Sequence, residues 1–146
     1  MDLSNLPSEE NYRFVAVLNK KIETGRLMNA LGHMTAGLAG SVGDAKAMHF
    51  LEYFDKDGVV HPGQSHFPFI ILSADNSNKI RTVRHEAVAR SIPFVDFTST
   101  MRIGTTQVQM DATIDTKEID LEYYGIVMFG KTEDLKEFTK KFSLYK

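Results

Sequence analysis

Residues 13–40 read RFVAVLNKKIETGRLMNALGHMTAGLAG. Two periodicities meet in this stretch. Phe14-Val15-Ala16-Val17-Leu18 is apolar without a break, as in a strand buried on both faces of a parallel or mixed sheet under helices. Gly25 interrupts the chain. From Arg26 to about Val42 the apolar residues Leu27, Leu31, Met34 and Leu38 return every three or four positions, which makes one helical stripe. Gly32, Ala36, Gly37, Ala39 and Gly40 leave this helix small-sided. Glycine weakens a helix, so the pattern predicts close packing against a neighbour in compensation.

Working outward, Met48–Phe54 reads as a second strand, Asp57-Gly58 as a turn and Pro62-Gly63 as a loop. Phe67–Ser73 is a third strand. Ser77–Ser91 reads as a helix, with Ile80, Val83, Ala87, Val88 and Ile92 on one face. Phe94–Phe97 is a short strand running into hydroxyl residues. Met101–Glu122 is polar and lacks a clear period; an extended segment is expected near Thr105–Met110. Tyr123–Phe129 is a strand ended by Gly130. Thr132 suits a helix N-cap, with Glu133 and Asp134 in the first turn and Leu135, Phe138, Phe142 and Leu144 towards the core. This order of strands and helices predicts an α/β layered domain with a mixed sheet. Residues 1–12 are expected to form a polar leader and residues 13–146 one domain.

The 146 residues include 42% hydrophobic and 25% charged side chains, a globular balance. No cysteine is present, which excludes disulfides, thiolate catalysis and cysteine-ligated zinc. A net charge of −2 argues against a DNA-coating or polybasic membrane protein. The longest strongly apolar run, Phe67–Leu72, is too short to span a bilayer, and the polar start lacks a signal-peptide pattern. A cytoplasmic location is the default expectation.

Two places attract chemistry. Arg26, Asn29 and His33, three and four apart, share one helix face. Arg26 lies in the first turn, where backbone N–H groups attract anions, and Lys20 and Lys21 add positive charge. The alternative is a solvated helix start with Asn29 and His33 bonded locally. The second place is Asp96-Phe97-Thr98-Ser99-Thr100. It follows a strand, where ligands gather in α/β sheets; the alternative is a capped turn. His61 and His66 bracket a loop, but two histidines without a third ligand make a poor metal site. Lys79, Arg81, Arg84 and Arg90 form a basic helix. Asp111, Asp115, Glu118, Asp120 and Glu122 oppose it and are expected to pair with it or across a dimer. Neither a P-loop, a dinucleotide glycine fingerprint nor a nucleophile elbow is present.

"RFVAVLN" followed by "TGRLMNALGHMTAGLAG" resembles the opening of type II peptidyl-tRNA hydrolases. It resembles still more closely an uncharacterised, largely bacterial sister family, the domain-of-unknown-function family DUF-two-thousand, through "LMNALGHMTAGL". "VDFTSTM" and the closing "YYGIVMFGKTEDLKEFTKKFSLYK" extend the likeness to Arg13–Lys146. The resemblance implies three layers, with a four- or five-stranded mixed sheet carrying helices on both faces, and a homodimer. It also implies a site of Arg26, His33, Asp96 and Thr100; Lys20, Lys21, Asn29 and Thr98 are the expected ligand contacts beside it, and neither metal nor cofactor is expected. Arg26 stands where the hydrolases carry lysine, and an arginine serves as an anion clamp, not as a base. Glu23-Thr24-Gly25 replaces their basic loop, and Ala30 and Met101 stand where they carry glutamines. Two functions follow. One is a binder of a small anionic ligand or protein partner. The other is an esterase-type hydrolase, with His33 or Asp96 activating water, Arg26 holding oxyanion or phosphate and the lysines steering a tRNA terminus.

Overall fold

The computed structural model describes residues 2–146; Met1, at the head of the expected leader, lies outside them. The order is β1 (Tyr12–Asn19), α1 (Thr24–Gly37), β2 (Phe50–Phe54), β3 (Val60–Ser65), β4 (Phe69–Ala74), α2 (Ser77–Ala89), β5 (Phe94–Thr98), α3 (Thr106–Ile114), β6 (Tyr123–Lys131), α4 (Thr132–Thr139) and β7 (Ser143–Leu144). Five strands form one mixed sheet in the order β5-β6-β1-β4-β7. Only β1 and β4 run parallel; the other neighbours are antiparallel. β2 and β3 pair apart from it as a hairpin.

The uninterrupted apolar run is the centre of this sheet. Phe14, Ala16 and Leu18 point into one layer with Leu27, Ala30, Met34 and Leu38 of α1. Val15 and Val17 point into the other, with Ile80 and Val83 of α2 and Leu135 of α4. The α1 stripe is therefore covered by the sheet, each such side chain contributing roughly 1.5–3 kcal/mol by burial. Close approach occurs where Gly125 of β6 lies opposite Leu18. A Cβ there would stand 2.7 Å from Leu18 Cδ2 and 3.2 Å from Met34 Cε. The small residues of α1 divide: Ala30 is fully buried, whereas Gly32 and Gly40 face open space. After Gly37 the helix widens into a π-helical turn, Leu38–Val42.

Several expectations are corrected. Thr105–Met110 is not extended: Thr105 Oγ1 accepts from Val108 N and starts α3. The run Thr106-Gln-Val-Gln-Met110 alternates like a strand because α3 buries no residue and needs no apolar stripe. Pro62 and Gly63 lie within β3; a two-stranded hairpin has free edges, where proline is tolerated. Gly130 lies inside β6. Thr132 is the first residue of α4, not its cap, and its N–H donates to Asn11 O. Val88 is exposed, and so is Leu144, which belongs to the short edge strand β7. The leader is tied down: a His66 ring nitrogen bonds Pro7 O at 2.9 Å. No described helix is long and apolar enough to cross a membrane.

Candidate functional site

β5 is an edge strand, and α3 with its flanking turns forms an excursion beyond it. Between α1, β5 and α3 runs a groove of about 820 Å³. Asn29 and His33 line it from α1, Val95, Asp96 and Phe97 from β5, and Met101 and Arg102 from the turn that follows. Thr106, Gln109, Met110, Thr113 and Ile114 line it from α3. Met110 and Ile114 are 63% and 84% exposed, so the far wall is an apolar surface without a partner. Arg102 is exposed and makes no ion pair among the described residues.

Of the residues singled out from sequence, the structure brings Asn29, His33 and Asp96 to this groove. His33 and Asp96 reach it from different sides of the strand. Val95 and Phe97 pack with α1, and the His33 ring lies 6.1 Å from that of Phe97. Asp96 alternates with them, and its Oδ2 accepts from Arg84 Nε of α2 at 2.8 Å. Phe129 N bonds Pro93 O, and the β5–β6 register then leaves the Asp96 N–H and C=O pointing away from β6, towards the open edge. Its main chain meets the groove while its carboxylate serves α2.

Arg26 does not line the groove. It precedes His33 by seven residues, about 10 Å along the helix axis. Lys20, also outside the groove, pairs with Asp75 at 2.9 Å; Lys20 and then Lys79 draw the Asp75 carboxyl down to about 2. Lys21 caps nothing with its side chain, although its N–H donates to Asn19 Oδ1. Thr98 and Thr100 sit behind the groove in a chain of hydroxyls. Thr113 Oγ1 donates to Gln109 O at 2.7 Å, so it accepts from Thr100 at 2.8 Å. Thr100 in turn accepts from Thr98 at 2.7 Å. All three protons are committed, and the chain moors α3 to the end of β5.

The far side of the excursion is moored by Arg81. This buried guanidinium donates to Glu118 Oε2 at 2.6 Å and to the carbonyls of Glu118, Ile119 and Leu121. It also bonds Asn78 Oδ1 and lies over the Tyr123 ring. The Tyr123 hydroxyl donates to Glu118 Oε2, and burial, then Glu118, pushes its ionisation up to about 12. The expected pairing of the basic helix with the acidic stretch is this contact. Arg102, Gln109, Met110 and Ile114 fall in the polar Met101–Glu122 stretch that shows no clear period, and within it only Thr105–Met110 reads as extended. As a helix, residues 106, 109, 110, 113 and 114 fall at three-and-four spacing, which finds Gln109, Met110 and Ile114; no sequence signal finds Arg102. His61 bonds Asp55 and His66 bonds Pro7 O, so the two histidines have separate partners. Among the described residues no group of three or more potential ligands is placed to hold a metal ion.

No curated protein matches the chain significantly. Twelve solved chains do. One, a protein of unknown function from Agrobacterium tumefaciens, superposes with a TM-score of 0.79 at 14% identity, over 93% of this chain and 98% of that one. At that identity the likeness carries the α/β fold alone. The sequence profile of the family described as protein of unknown function (DUF2000) matches residues 12–146. That span runs from the first residue of β1 to the last lysine and takes in every wall of the groove, so the chain belongs to the DUF2000 family.

Proposed function

We propose that the groove binds a small amphiphilic anion, with its apolar body along Val95, Phe97, Met110 and Ile114 and its anionic head at Arg102. The observation that carries this is the wall composition. Apolar side chains from three elements face a few convergent polar groups, Asn29, His33, Gln109 and Arg102, around a volume suited to a ligand of drug-like size. Arg102 takes the role of anion clamp that the sequence assigned to Arg26. Thermal denaturation with medium-chain carboxylates tests it. A ligand at a hundred times its Kd adds about 2.7 kcal/mol of stability, a shift of several degrees. Arg102→Ala and Ile114→Asp should abolish most of that shift. The proposal fails if the wild type shows no shift, or if Ile114→Asp shows the same one.

A second reading is ester hydrolysis of the peptidyl-tRNA kind, with His33 as general base. The exposed imidazole beside Asn29 in the groove favours it, as does the ordered likeness to the hydrolases. It requires turnover of peptidyl-tRNA that His33→Ala abolishes; turnover no greater than a contamination control removes it. The homodimer belongs to the same proposal. The projecting β2–β3 hairpin exposes Phe50, Tyr53, Phe54, Val59 and Val60, and sedimentation at the mass of one chain at all concentrations would contradict self-association.

A further inference from the structure

A second cleft, of about 960 Å³, lies where β1 begins, β6 ends and α4 starts, and it shares no lining residue with the groove. Arg13 lines it. Arg13 alternates with Val15 and Val17, so it faces the α2–α4 layer. Gly130, its partner across the ladder, puts no side chain beside it. The Arg13 Nε is buried and has no hydrogen-bond partner. Thr132 lines the same cleft at the first position of α4; it is 8% exposed, and its Oγ1 is also without a partner. No side chain caps α4, and Lys131 and Lys136 complete the basic lining.

A guanidinium next to a helix N-terminus is an unfavourable meeting of like charges. Buried polar atoms without partners are uncommon in native structures and call for an explanation. One oxyanion removes both difficulties. It accepts from the Arg13 fork, from the Thr132 hydroxyl and from first-turn N–H groups of α4. Glu9, Glu10 and Glu133 also line the cleft. Set against three cations, these carboxylates restrict the guest to low charge, a single carboxylate or phosphate group and not a polyphosphate. We propose that the cleft at the α4 N-terminus is a binding site for the carboxylate or phosphate group of a small ligand, held by Arg13 and Thr132.

The test is an NMR titration of the isotope-labelled full chain with inorganic phosphate, with acetate, and with chloride at matched ionic strength. Phosphate or acetate should move the Thr132, Glu133 and Asp134 amides and the Arg13 Nε–H saturably, and chloride should not. Saturation by phosphate alone assigns a phosphate-bearing ligand, and by acetate alone a carboxylate. Arg13→Gln should weaken the apparent Kd roughly tenfold and Lys136→Gln about threefold, the scale of one charge-assisted bond and of one looser charge. The proposal is overturned by no saturable shift with either oxyanion, by equal shifts with chloride, or by unchanged affinity in Arg13→Gln. If Arg13→Gln does not fold, Thr132→Val and Lys136→Gln decide, and unchanged affinity in both overturns it.

Discussion

Arg81→Met removes the tie that closes the α3 excursion. The arginine is 6% exposed and serves three backbone carbonyls and a carboxylate between residues 118 and 121. A buried acceptor left without a donor costs about 1–3 kcal/mol, and a buried ion pair broken from one side about 3–5 kcal/mol. Both figures must be discounted here. The Glu118 side chain is 45% exposed, so water replaces much of its lost partner and that part falls towards about 1 kcal/mol. Glu118 and Ile119 are themselves exposed, which lets water reach their carbonyls; Leu121 is half-buried, and its carbonyl is the hardest to rehydrate. The expected loss is therefore about 3 kcal/mol, or roughly 8–10 °C in Tm for a chain of this length.

Urea unfolding of wild type, Arg81→Met, Glu118→Gln and the double variant measures this. A coupling energy of about 1–2 kcal/mol between the two positions is expected, because they share one network. The pH dependence supplies a second readout. Arg81, by its hydrogen bond, holds the Glu118 carboxyl below its ordinary value of 4.5. A depressed carboxylate stabilises the fold above its unfolded pKa, and that contribution is lost as pH falls through the folded value. The gap between wild type and Arg81→Met should therefore narrow below about pH 4.5. A loss under about 1 kcal/mol, or strict additivity with Glu118→Gln, would refute the tie.

Asp96→Asn should cost about 1 kcal/mol, since asparagine still accepts from Arg84 but without the charge; groove-ligand affinity should stay within about twofold, and a larger fall in a binding titration would show that the carboxylate reaches the groove. Gly125→Ala places a methyl 2.7 Å from Leu18 Cδ2 and 3.0 Å from Val17 O, so unfolding should show a loss of about 1–3 kcal/mol. Thr113→Val cuts the hydroxyl chain and should cost about 1 kcal/mol, with faster hydrogen exchange confined to α3; uniform exchange across the chain would contradict the mooring.

The sheet and the two helix layers were legible because their residues obey a period. Phe14–Leu18 is apolar on both faces and proved central, and Leu27, Met34 and Leu38 proved buried. The excursion obeys no such rule. α3 is held by Thr100–Thr113, and the chain beyond it by Arg81 through Glu118; ties made through partners distant in sequence leave no local pattern. Pro62-Gly63 misled for the related reason that a free-edged hairpin tolerates residues that a central strand does not. A minority of the candidate site is legible in the sequence: Asn29 and His33 follow from helical spacing, whereas Gln109, Met110 and Ile114 require knowing that residues 106–114 are a helix, and Arg102 follows from neither.

Asp96, Thr98 and Thr100 lie within five residues, and the resemblance to the hydrolases implies one site that joins Asp96 and Thr100 to His33. A strand has two faces, however, and Asp96 spends its carboxylate on Arg84. The register of β5 shifts between Phe97 and Thr98. Such a bulge re-aims the chain, and the hydroxyls beyond it run to Thr113. His33 is left in the groove without the Asp96 carboxylate to orient its imidazole. An unassisted imidazole is a weak basis for general-base catalysis, which relies on a positioned ring and a stabiliser for developing charge. The apolar walls make no such demand; they need only a ligand whose body they cover and whose charge meets Arg102. The geometry therefore favours binding over hydrolysis, and the comparison of His33→Ala with Arg102→Ala separates the two. Loss of turnover in the first variant alone points to chemistry, and loss of affinity in the second alone to a binding groove.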